Sequence, residues 1–320
     1  MAIVTRSRSG AIKSYLGKKT KPVLRVTKRT KQASPGTKKK KLVLTQPPAR
    51  PASPHGTNAP LAATSSVLVI PEKRDSAVTT ATLLERGVAH LLSVDPTLTD
   101  LISAHPCPIF SRSGIEDVVD PFESLVSGII SQQVSGAAAR TIKARFIALF
   151  PAPSSSTTSS FPTPAQVHAC PQETLRSAGL SGRKAEYVRD VAEHFLDGRL
   201  SAEMLSTAPD SEVVEKLVSV RGIGNWSAEM FLMFGLKRMD VFSTGDLGIQ
   251  RGMAAYLGKD VAKLKKNGAG GKGGGAKGKW KYLGEEEMLR CSEKFKPYRS
   301  LFMWYMWRFS EVTVDAFGKG

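Results

Sequence analysis

Acidic residues are missing from the first 71 positions of this 320-residue chain, which contain 15 Lys and Arg side chains. A second acid-free stretch, Lys263–Lys281, adds seven Lys, while the rest of the chain has four more acidic than basic side chains. The net charge of +18 is therefore confined to two segments. Such basic segments attract polyanions in a salt-dependent way, but they are equally typical of a solvating or targeting tail.

Cysteine is also scarce, because only Cys107, Cys170 and Cys291 occur, far apart along the chain. This number excludes a disulfide framework and an iron–sulfur cluster held by four cysteines of this chain, and the spacing is not that of a zinc site. No stretch approaches the ~20 apolar residues of a membrane span, and the first residues lack the apolar core of a signal peptide. We expect a protein of a reducing compartment with no membrane partner.

The amino-terminal part, residues 1–75, is rich in Lys, Pro, Ser and Thr and has no sustained apolar period, which predicts a disordered basic tail. The runs KRTK at 28–31 and Lys38–Lys41 resemble nuclear localisation signals. An acid-free, Arg- and Ser-containing amino terminus is also found in mitochondrial presequences. The nucleus is the favoured location, and the mitochondrion is the alternative.

Residues 76–320 have the pattern of a helical domain, with apolar residues recurring every three or four positions. Asp120, Pro121 and Glu123 form a helix start signal, and another helix is expected to begin near Ser181. Two low-complexity insertions, at about 151–164 and 263–281, interrupt the pattern. Since only short fragments alternate like strands, the predicted fold class is all-α.

Two glycines interrupt the helical pattern in VRGIGNW, at positions 222 and 224. Glycine costs a helix roughly 1 kcal/mol relative to alanine but permits a positive φ and close approach of another backbone. The pair fits a helix end followed by a tight turn. It also fits a phosphate site, because the helix that follows would present free backbone N–H groups.

Two aspartates downstream, Asp240 and Asp246, are the candidates for chemistry. Asp240 ends the connection LKRMD and is interpreted as structural. Asp246 follows Ser243, Thr244 and Gly245, so it can cap the helix LGIQRGMAAYL. The residues alone leave capping and catalysis open for Asp246.

Four motifs in order resemble the helix–hairpin–helix DNA glycosylases, and most of all the fungal type of 3-methyladenine DNA glycosylase II. They are SQQVSGAAA at 131–139, LVSVRGIGNWSAEMFLMFGL at 217–236, DVFSTGDLGIQRG at 240–252 and PYRSLFMWYMWR at 297–308. The resemblance covers about residues 79–320. It implies two helical subdomains with the helix–hairpin–helix motif and an active-site cleft between them.

The resemblance assigns DNA-binding roles to the hairpin. Backbone N–H groups of Gly222 and Gly224, with Ile223 between them, are expected to bind a phosphate beside the lesion. The carbonyls of Val218, Val220 and Ile223 would hold a monovalent Na or K ion at the same place. No other cofactor is expected.

The resemblance also assigns the reaction. The family's catalytic aspartate falls on Asp246, and a fixed carboxylate stabilises the positive charge that develops on the sugar when an N-glycosidic bond breaks. Members that also cleave the strand carry a Schiff-base lysine where this chain has Trp226, so a monofunctional enzyme is expected. Trp226 is either a wall of the base pocket or a core tryptophan. Tyr298 and Phe122 are further candidates for the pocket.

Two more positions are expected at the DNA. Gln133 falls where relatives carry the residue that fills the gap left by a flipped base, although Gln132 and Gln133 also suit a polar turn between two helices. Lys184 is a surface lysine that could contact a phosphate.

The predicted partner is double-stranded DNA with alkylated purines such as 3-methyladenine and 7-methylguanine, bound by a monomer that leaves an abasic site in base excision repair. The alternatives are a non-catalytic DNA-binding protein and a bifunctional glycosylase/lyase for oxidised bases.

Overall fold

The computed structural model of the chain describes residues 49–62, 78–151, 161–267 and 282–317. Within these ranges β structure is limited to two isolated bridges, which confirms the all-α prediction. The α-helices are α1 Leu83–Val94, α2 Thr99–Ala104, α3 Arg112–Glu116, α4 Pro121–Ser131, α5 Gly136–Ala148, α6 Pro164–Ala169, α7 Gln172–Ser177, α8 Gly182–Leu196, α9 Ala202–Thr207, α10 Asp210–Val218, α11 Asn225–Met230, α12 Leu247–Tyr256, α13 Val261–Asn267, α14 Glu285–Glu293 and α15 Arg299–Phe317.

Side-chain caps define where several of these helices begin. The carboxylate of Asp120 accepts a hydrogen bond from the backbone N–H of Glu123, and Pro121 is the first residue of α4. The hydroxyl of Ser181 accepts from the backbone N–H of Lys184 at the start of α8. Each cap satisfies a backbone donor that has no partner inside the helix. Both helix starts were predicted correctly.

The helices pack in two groups, as expected for two helical subdomains. Helices α4 to α8 contact one another around α8, whereas α1, α2, α12, α13 and α14 contact α15 or α12. Helices α10 and α11 form the helix–hairpin–helix unit, and the π-helical turn Phe231–Gly235 that follows α11 contacts α4. The hairpin is thereby attached to the first group and leads into the second.

The carboxy-terminal helix lies in the core of the second group. Seven consecutive residues, Leu301 to Trp307, are buried, so this part of α15 is covered on all sides. Helix α12 crosses α15 at Gly252, where an added Cβ would lie 2.0 Å from the carbonyl oxygen of Met306. Only glycine permits this approach, and the crossing sets the position of the amino-terminal end of α12.

The prediction that residues 1–75 are entirely disordered is wrong for residues 49–62. Ala52, Ala59 and Leu61 of this segment are buried, and Asn58 is only 4% exposed. The Asn58 amide donates to the carbonyl of Lys237 at 2.9 Å, and its backbone N–H donates to the carbonyl of Leu236 at 3.0 Å. A segment with little apolar content is thus held on the domain by hydrogen bonds.

The predicted insertions are shorter than expected where the structure describes them. Phe161 is buried, and Pro164 already opens α6, so the first insertion ends before these residues. Residues 263–267 belong to α13. The basic runs at 28–31 and 38–41 and most of the second insertion lie outside the described residues. No helix in the described part of the chain is long and apolar enough to cross a membrane.

Candidate active site

The carboxylate of Asp246 is buried and accepts three hydrogen bonds. Its Oδ1 accepts from the backbone N–H of Ile249 at 2.9 Å and from the indole Nε1 of Trp307 at 3.0 Å. Its Oδ2 accepts from the indole Nε1 of Trp226 at 2.7 Å. Asp246 is 3% exposed. Because each carboxylate oxygen has about two lone pairs, Oδ1 is saturated and Oδ2 can accept one more hydrogen bond or face a developing positive charge.

The start of α12 is built to hold this carboxylate. Asp246 is the N-cap of the helix, so the capping role that the sequence suggested is present together with the indole contacts. A Cβ at Gly248 would lie 2.8 Å from the Trp307 ring and 3.0 Å from Oδ1 of Asp246. Glycine is therefore required for the ring to reach the carboxylate. Phe234 stacks on this indole, with ring centroids 6.0 Å apart.

Trp226 connects the hairpin to the carboxylate. It is the second residue of α11 and is half-buried, and its indole N–H is committed to Asp246. The hydrogen bond fixes the orientation of the ring, and part of the residue remains accessible to solvent. This placement is consistent with a wall of a pocket and differs from a fully enclosed core tryptophan.

The structural surroundings of the two hairpin glycines differ. Gly222 has a φ of +87°, and a Cβ there would lie 2.1 Å from the ring of Tyr187, so backbone conformation and packing both require glycine. Gly224 is exposed with a φ of −98°, and a Cβ there meets nothing within 4 Å. The space in front of Gly224 is therefore open to an external group, at the start of α11 where backbone N–H groups are free of intrahelical partners.

The hairpin turn is anchored by a buried carboxylate. Asp190 of α8 accepts from the backbone N–H of Arg221 at 2.7 Å and from its guanidinium at 3.2 Å. The N–H of Ile223 donates to the carbonyl of Val220 at 3.1 Å, so the backbone donor of Ile223 is not directed at a phosphate. The side chains of Ile223 and Val220 are buried, and that of Val218 is 40% exposed.

The turn between α4 and α5 lies beside this hairpin. The side-chain amide of Gln132 donates to the carbonyl of Gly222 at 2.9 Å. Gln133, the next residue, is exposed and has a φ of +56°, a conformation that costs a residue with a Cβ of order 1–3 kcal/mol. The structure thus presents the side chain predicted to fill the gap at the tip of a constrained turn next to the hairpin.

Lys184 does not have the position predicted for a phosphate contact. Its ammonium donates to the carbonyl of Gln132 at 2.7 Å and to that of Ile130 at 2.8 Å, and the residue is half-buried. Two of its three donors are therefore used inside the protein. Side-chain reach across to α4 could not be predicted from the surrounding sequence.

Phe122, a further candidate for the base pocket, is buried in the structure, and its place in a pocket stays a prediction. Its ring is 4% exposed and packs edge-on against Phe195 and Phe161, with centroids 5.5 and 6.0 Å away. It belongs to the core of the first group of helices.

Tyr298 is buried just before α15, with its ring 5.3 Å from that of His90. It precedes Trp307 by nine residues, or roughly 13 Å of helix, and its place in a pocket stays a prediction.

Three residues of the site were missed at the level of sequence: Trp307, Tyr187 and Asp190. The helical glycines 248 and 252, four residues apart, were a usable signal, because a pair of glycines on one helix face marks a close neighbour. Asp240, by contrast, is structural as predicted, since Arg299 binds its carboxylate at 2.6 Å. Among the described residues no group of three His, Cys, Asp or Glu side chains could hold a metal ion.

Comparison with known proteins agrees with this geometry. The model of the HhH-GPD superfamily of base excision DNA repair proteins matches residues 126–267, which include the hairpin and Asp246. The DNA-3-methyladenine glycosylase of Saccharomyces cerevisiae is 36% identical over 241 residues, covering 72% of this chain and 81% of that protein. The chain belongs to the HhH-GPD superfamily. Trp307 lies beyond the residues that the superfamily model matches.

Solved structures of similar proteins have the same fold. A DNA-3-methyladenine glycosidase from Bacillus halodurans aligns with a TM-score of 0.51 at 32% identity, covering 72% of this chain and 91% of its own. The 3-methyladenine DNA glycosylase of Schizosaccharomyces pombe, solved in complex with abasic DNA, aligns with a TM-score of 0.50 at 28% identity. The alignment covers 71% of this chain and 97% of that one.

Proposed function

We propose that this chain is a monofunctional DNA glycosylase that hydrolyses the N-glycosidic bond of flipped-out alkylated purines and leaves an abasic site in base excision repair. The observation that carries the proposal is the buried carboxylate of Asp246, held by Trp226 and Trp307 beside the hairpin. Relatives named DNA-3-methyladenine glycosylase support the substrate class.

The carboxylate suits the chemistry of glycosidic cleavage. As the bond between C1′ and the purine nitrogen breaks, positive charge develops on the sugar, and a preorganised carboxylate stabilises it. Oδ2 of Asp246 keeps a lone pair for the sugar or for the attacking water. Water then adds to C1′ and gives its proton to the carboxylate of Asp246 or to solvent. The purine, which carried the positive charge, leaves as the neutral free base, and an abasic site remains.

The indole of Trp226 is the reason why we propose a cationic purine as the substrate and a reaction without strand cleavage. An alkylated purine carries a positive charge, which is attracted to the face of an indole by stacking and cation–π interactions. The indole has no nucleophilic amine for a Schiff base, which the lyase reaction requires.

The hairpin and the neighbouring turn supply the DNA contacts in this proposal. A phosphate beside the lesion binds at the open backbone of Gly224, and the carbonyls of Val218, Val220 and Ile223 hold a monovalent cation against it. Gln133 fills the gap that the flipped base leaves in the duplex, since the base must leave the stack to reach the pocket. The glycosylase needs no other cofactor.

The basic tail and the oligomeric state belong to the same proposal. The basic runs at 28–31 and 38–41 direct the protein to the nucleus, with the mitochondrion as the alternative, and the protein acts as a monomer on double-stranded DNA with alkylated bases.

Product analysis tests the proposed reaction. Wild-type protein is incubated with a methylated duplex, and free bases, alkali-labile sites and direct strand breaks are measured. We expect free methylated purines and abasic sites, with strand breaks only after alkali and no covalent adduct on borohydride treatment. Binding without base release would support a DNA-binding protein, and breaks without alkali together with a borohydride adduct would support a glycosylase/lyase.

A further inference from the structure

The ammonium of Lys184 lies over the end of a neighbouring helix. Its two acceptors, the carbonyls of Ile130 and Gln132, are at the carboxy-terminal end of α4, where the last four carbonyls have no partner within the helix. A cation is favourable at this end of a helix dipole. Lys184 therefore caps α4 from another helix, immediately before the constrained residue Gln133.

The position of this lysine on its own helix is otherwise unfavourable. Lys184 is in the first turn of α8, where a positive charge opposes the helix dipole. Burial also lowers the pKa of its amine, so the charged form is costly there. The contacts with α4 offset both costs, which indicates that the role of this lysine is to bind the end of α4.

The same helix holds the hairpin. Tyr187, one turn after Lys184, packs against Gly222, and Asp190 in the next turn binds the backbone of Arg221. Gln132 connects the turn to the hairpin. Its side-chain amide donates to the carbonyl of Gly222, and the backbone carbonyl of Gln132 accepts from the ammonium of Lys184. The turn and the hairpin are thus fixed to one face of α8 and to each other.

We propose that Lys184 is a positioning residue that holds Gln133 in register with the hairpin, so that gap filling and phosphate binding occur together. The inference rests on the proposed glycosylase function, in which Gln133 enters the gap. It replaces the phosphate contact predicted for Lys184, and the two roles differ in their dependence on salt and on the lesion.

Binding measurements separate the two roles. Affinities of wild type and Lys184→Met are measured over a salt series with an intact duplex and with the same duplex carrying a tetrahydrofuran abasic site. We expect Lys184→Met to lose preference for the abasic duplex on the order of tenfold, because a hydrogen-bonded charge is removed from the turn. The slope of log K against log salt should not change, whereas loss of a phosphate contact would reduce it by about 1.

Arg183→Met is the matched control, since it removes the same charge from an exposed neighbour on α8. It should keep the wild-type preference for the abasic duplex. Gln133→Ala tests whether Lys184 acts through this residue: in that background Lys184→Met should cause little further loss of preference, as a double-mutant cycle would record.

Three results would overturn the inference: an unchanged preference in Lys184→Met, a slope reduced by about 1, or losses that add fully in the double variant. Base release by the wild type is measured in parallel and tests the proposed function separately. If no base is released, the glycosylase function is refuted, but the binding measurements still decide the role of Lys184. If Lys184→Met does not fold, Lys184→Gln is used with the same criteria, because its side chain is neutral and one atom shorter, so it cannot place a charge over the two carbonyls of α4.

Discussion

At the scale of single residues, the two oxygens of Asp246 have different surroundings. Oδ1 accepts from Trp307 and Ile249 and faces the protein, whereas Oδ2 accepts only from Trp226 among the described residues. We expect Oδ2 to be the oxygen that faces the sugar. The donors keep the carboxylate in one orientation before the substrate arrives, which is the condition for electrostatic catalysis without reorganisation.

The indole of Trp307 offers a direct test of this orientation. Trp307→Phe keeps an aromatic ring on Phe234 but removes the donor to Oδ1, so the single-turnover rate of base release should fall on the order of tenfold, as expected for loss of a hydrogen bond to a charged group. Trp304→Phe is the control, because the buried Nε1 of Trp304 has no hydrogen-bond partner among the described residues. Equal rates for both variants would contradict the role of Trp307.

The hairpin glycines should respond differently to alanine. Gly222→Ala forces a Cβ to within 2.1 Å of the Tyr187 ring at a positive φ, so we expect a clear fall in melting temperature. Gly224→Ala meets nothing in the protein, so the melting temperature should stay near that of wild type while affinity for duplex DNA falls. Thermal unfolding and duplex binding measure these two effects. An unchanged affinity for duplex DNA in Gly224→Ala would refute the proposed phosphate site.

Single residues were predictable from sequence where their role is local. Asp120 and Asp246 cap the helices that follow them, and a cap needs only three or four neighbouring residues. Lys184 and Trp307 contact residues that are far away in sequence. The partners of Lys184 are 52 and 54 positions away and the partner of Trp307 is 61 positions away, so no local sequence pattern indicates these contacts. The packing of Phe122 against Phe161 and Phe195 was not predictable, because an apolar residue near a functional motif is indistinguishable in sequence from one that fills the core.

At the scale of helices, the crossing of α12 and α15 controls the site. Gly252→Ala would place a Cβ 2.0 Å from the carbonyl oxygen of Met306 and push the helices apart. We expect a loss of stability of about 1–3 kcal/mol from overpacking and slower base release, because the Trp307 indole moves from Asp246. Gly182→Ala is the control, since its Cβ meets nothing within 4 Å. Its free energy of unfolding should equal or exceed that of wild type.

Helix identity was readable from apolar spacing, but tertiary attachment was not. The start of α8 at Gly182 followed from Ser181 and the periodic residues after it. Residues 49–62 were assigned to a disordered tail because their attachment depends on Asn58, whose side-chain amide donates to the carbonyl of Lys237, 179 positions away. Hydrogen bonds of this kind leave no hydrophobic period in the sequence.

At the scale of the whole molecule, the basic tail and the folded domain have separable effects. Removing residues 1–48 deletes 14 Lys and Arg residues but keeps the segment 49–62 on the domain. We expect weaker duplex binding with a smaller salt slope, since fewer counterions are released, and an unchanged single-turnover rate of base release. A slope equal to that of the full chain would contradict a DNA-binding role for the tail.

Deletion to residue 62 provides the comparison, because it also removes Asn58 and the buried Ala52, Ala59 and Leu61. This variant should melt at a lower temperature than the chain that begins at residue 49. Equal melting temperatures would show that the segment contributes nothing to stability.

In the proposed reaction, the whole molecule serves to bring one carboxylate, that of Asp246, to a flipped nucleotide. Asp246→Asn keeps the size and the helix cap but removes the charge. Its single-turnover release of methylated purines should fall by ~10²–10³, while its affinity for a tetrahydrofuran duplex and its folding stay close to those of wild type. A variant that binds and folds normally and releases bases at the wild-type rate would refute the proposed role of Asp246.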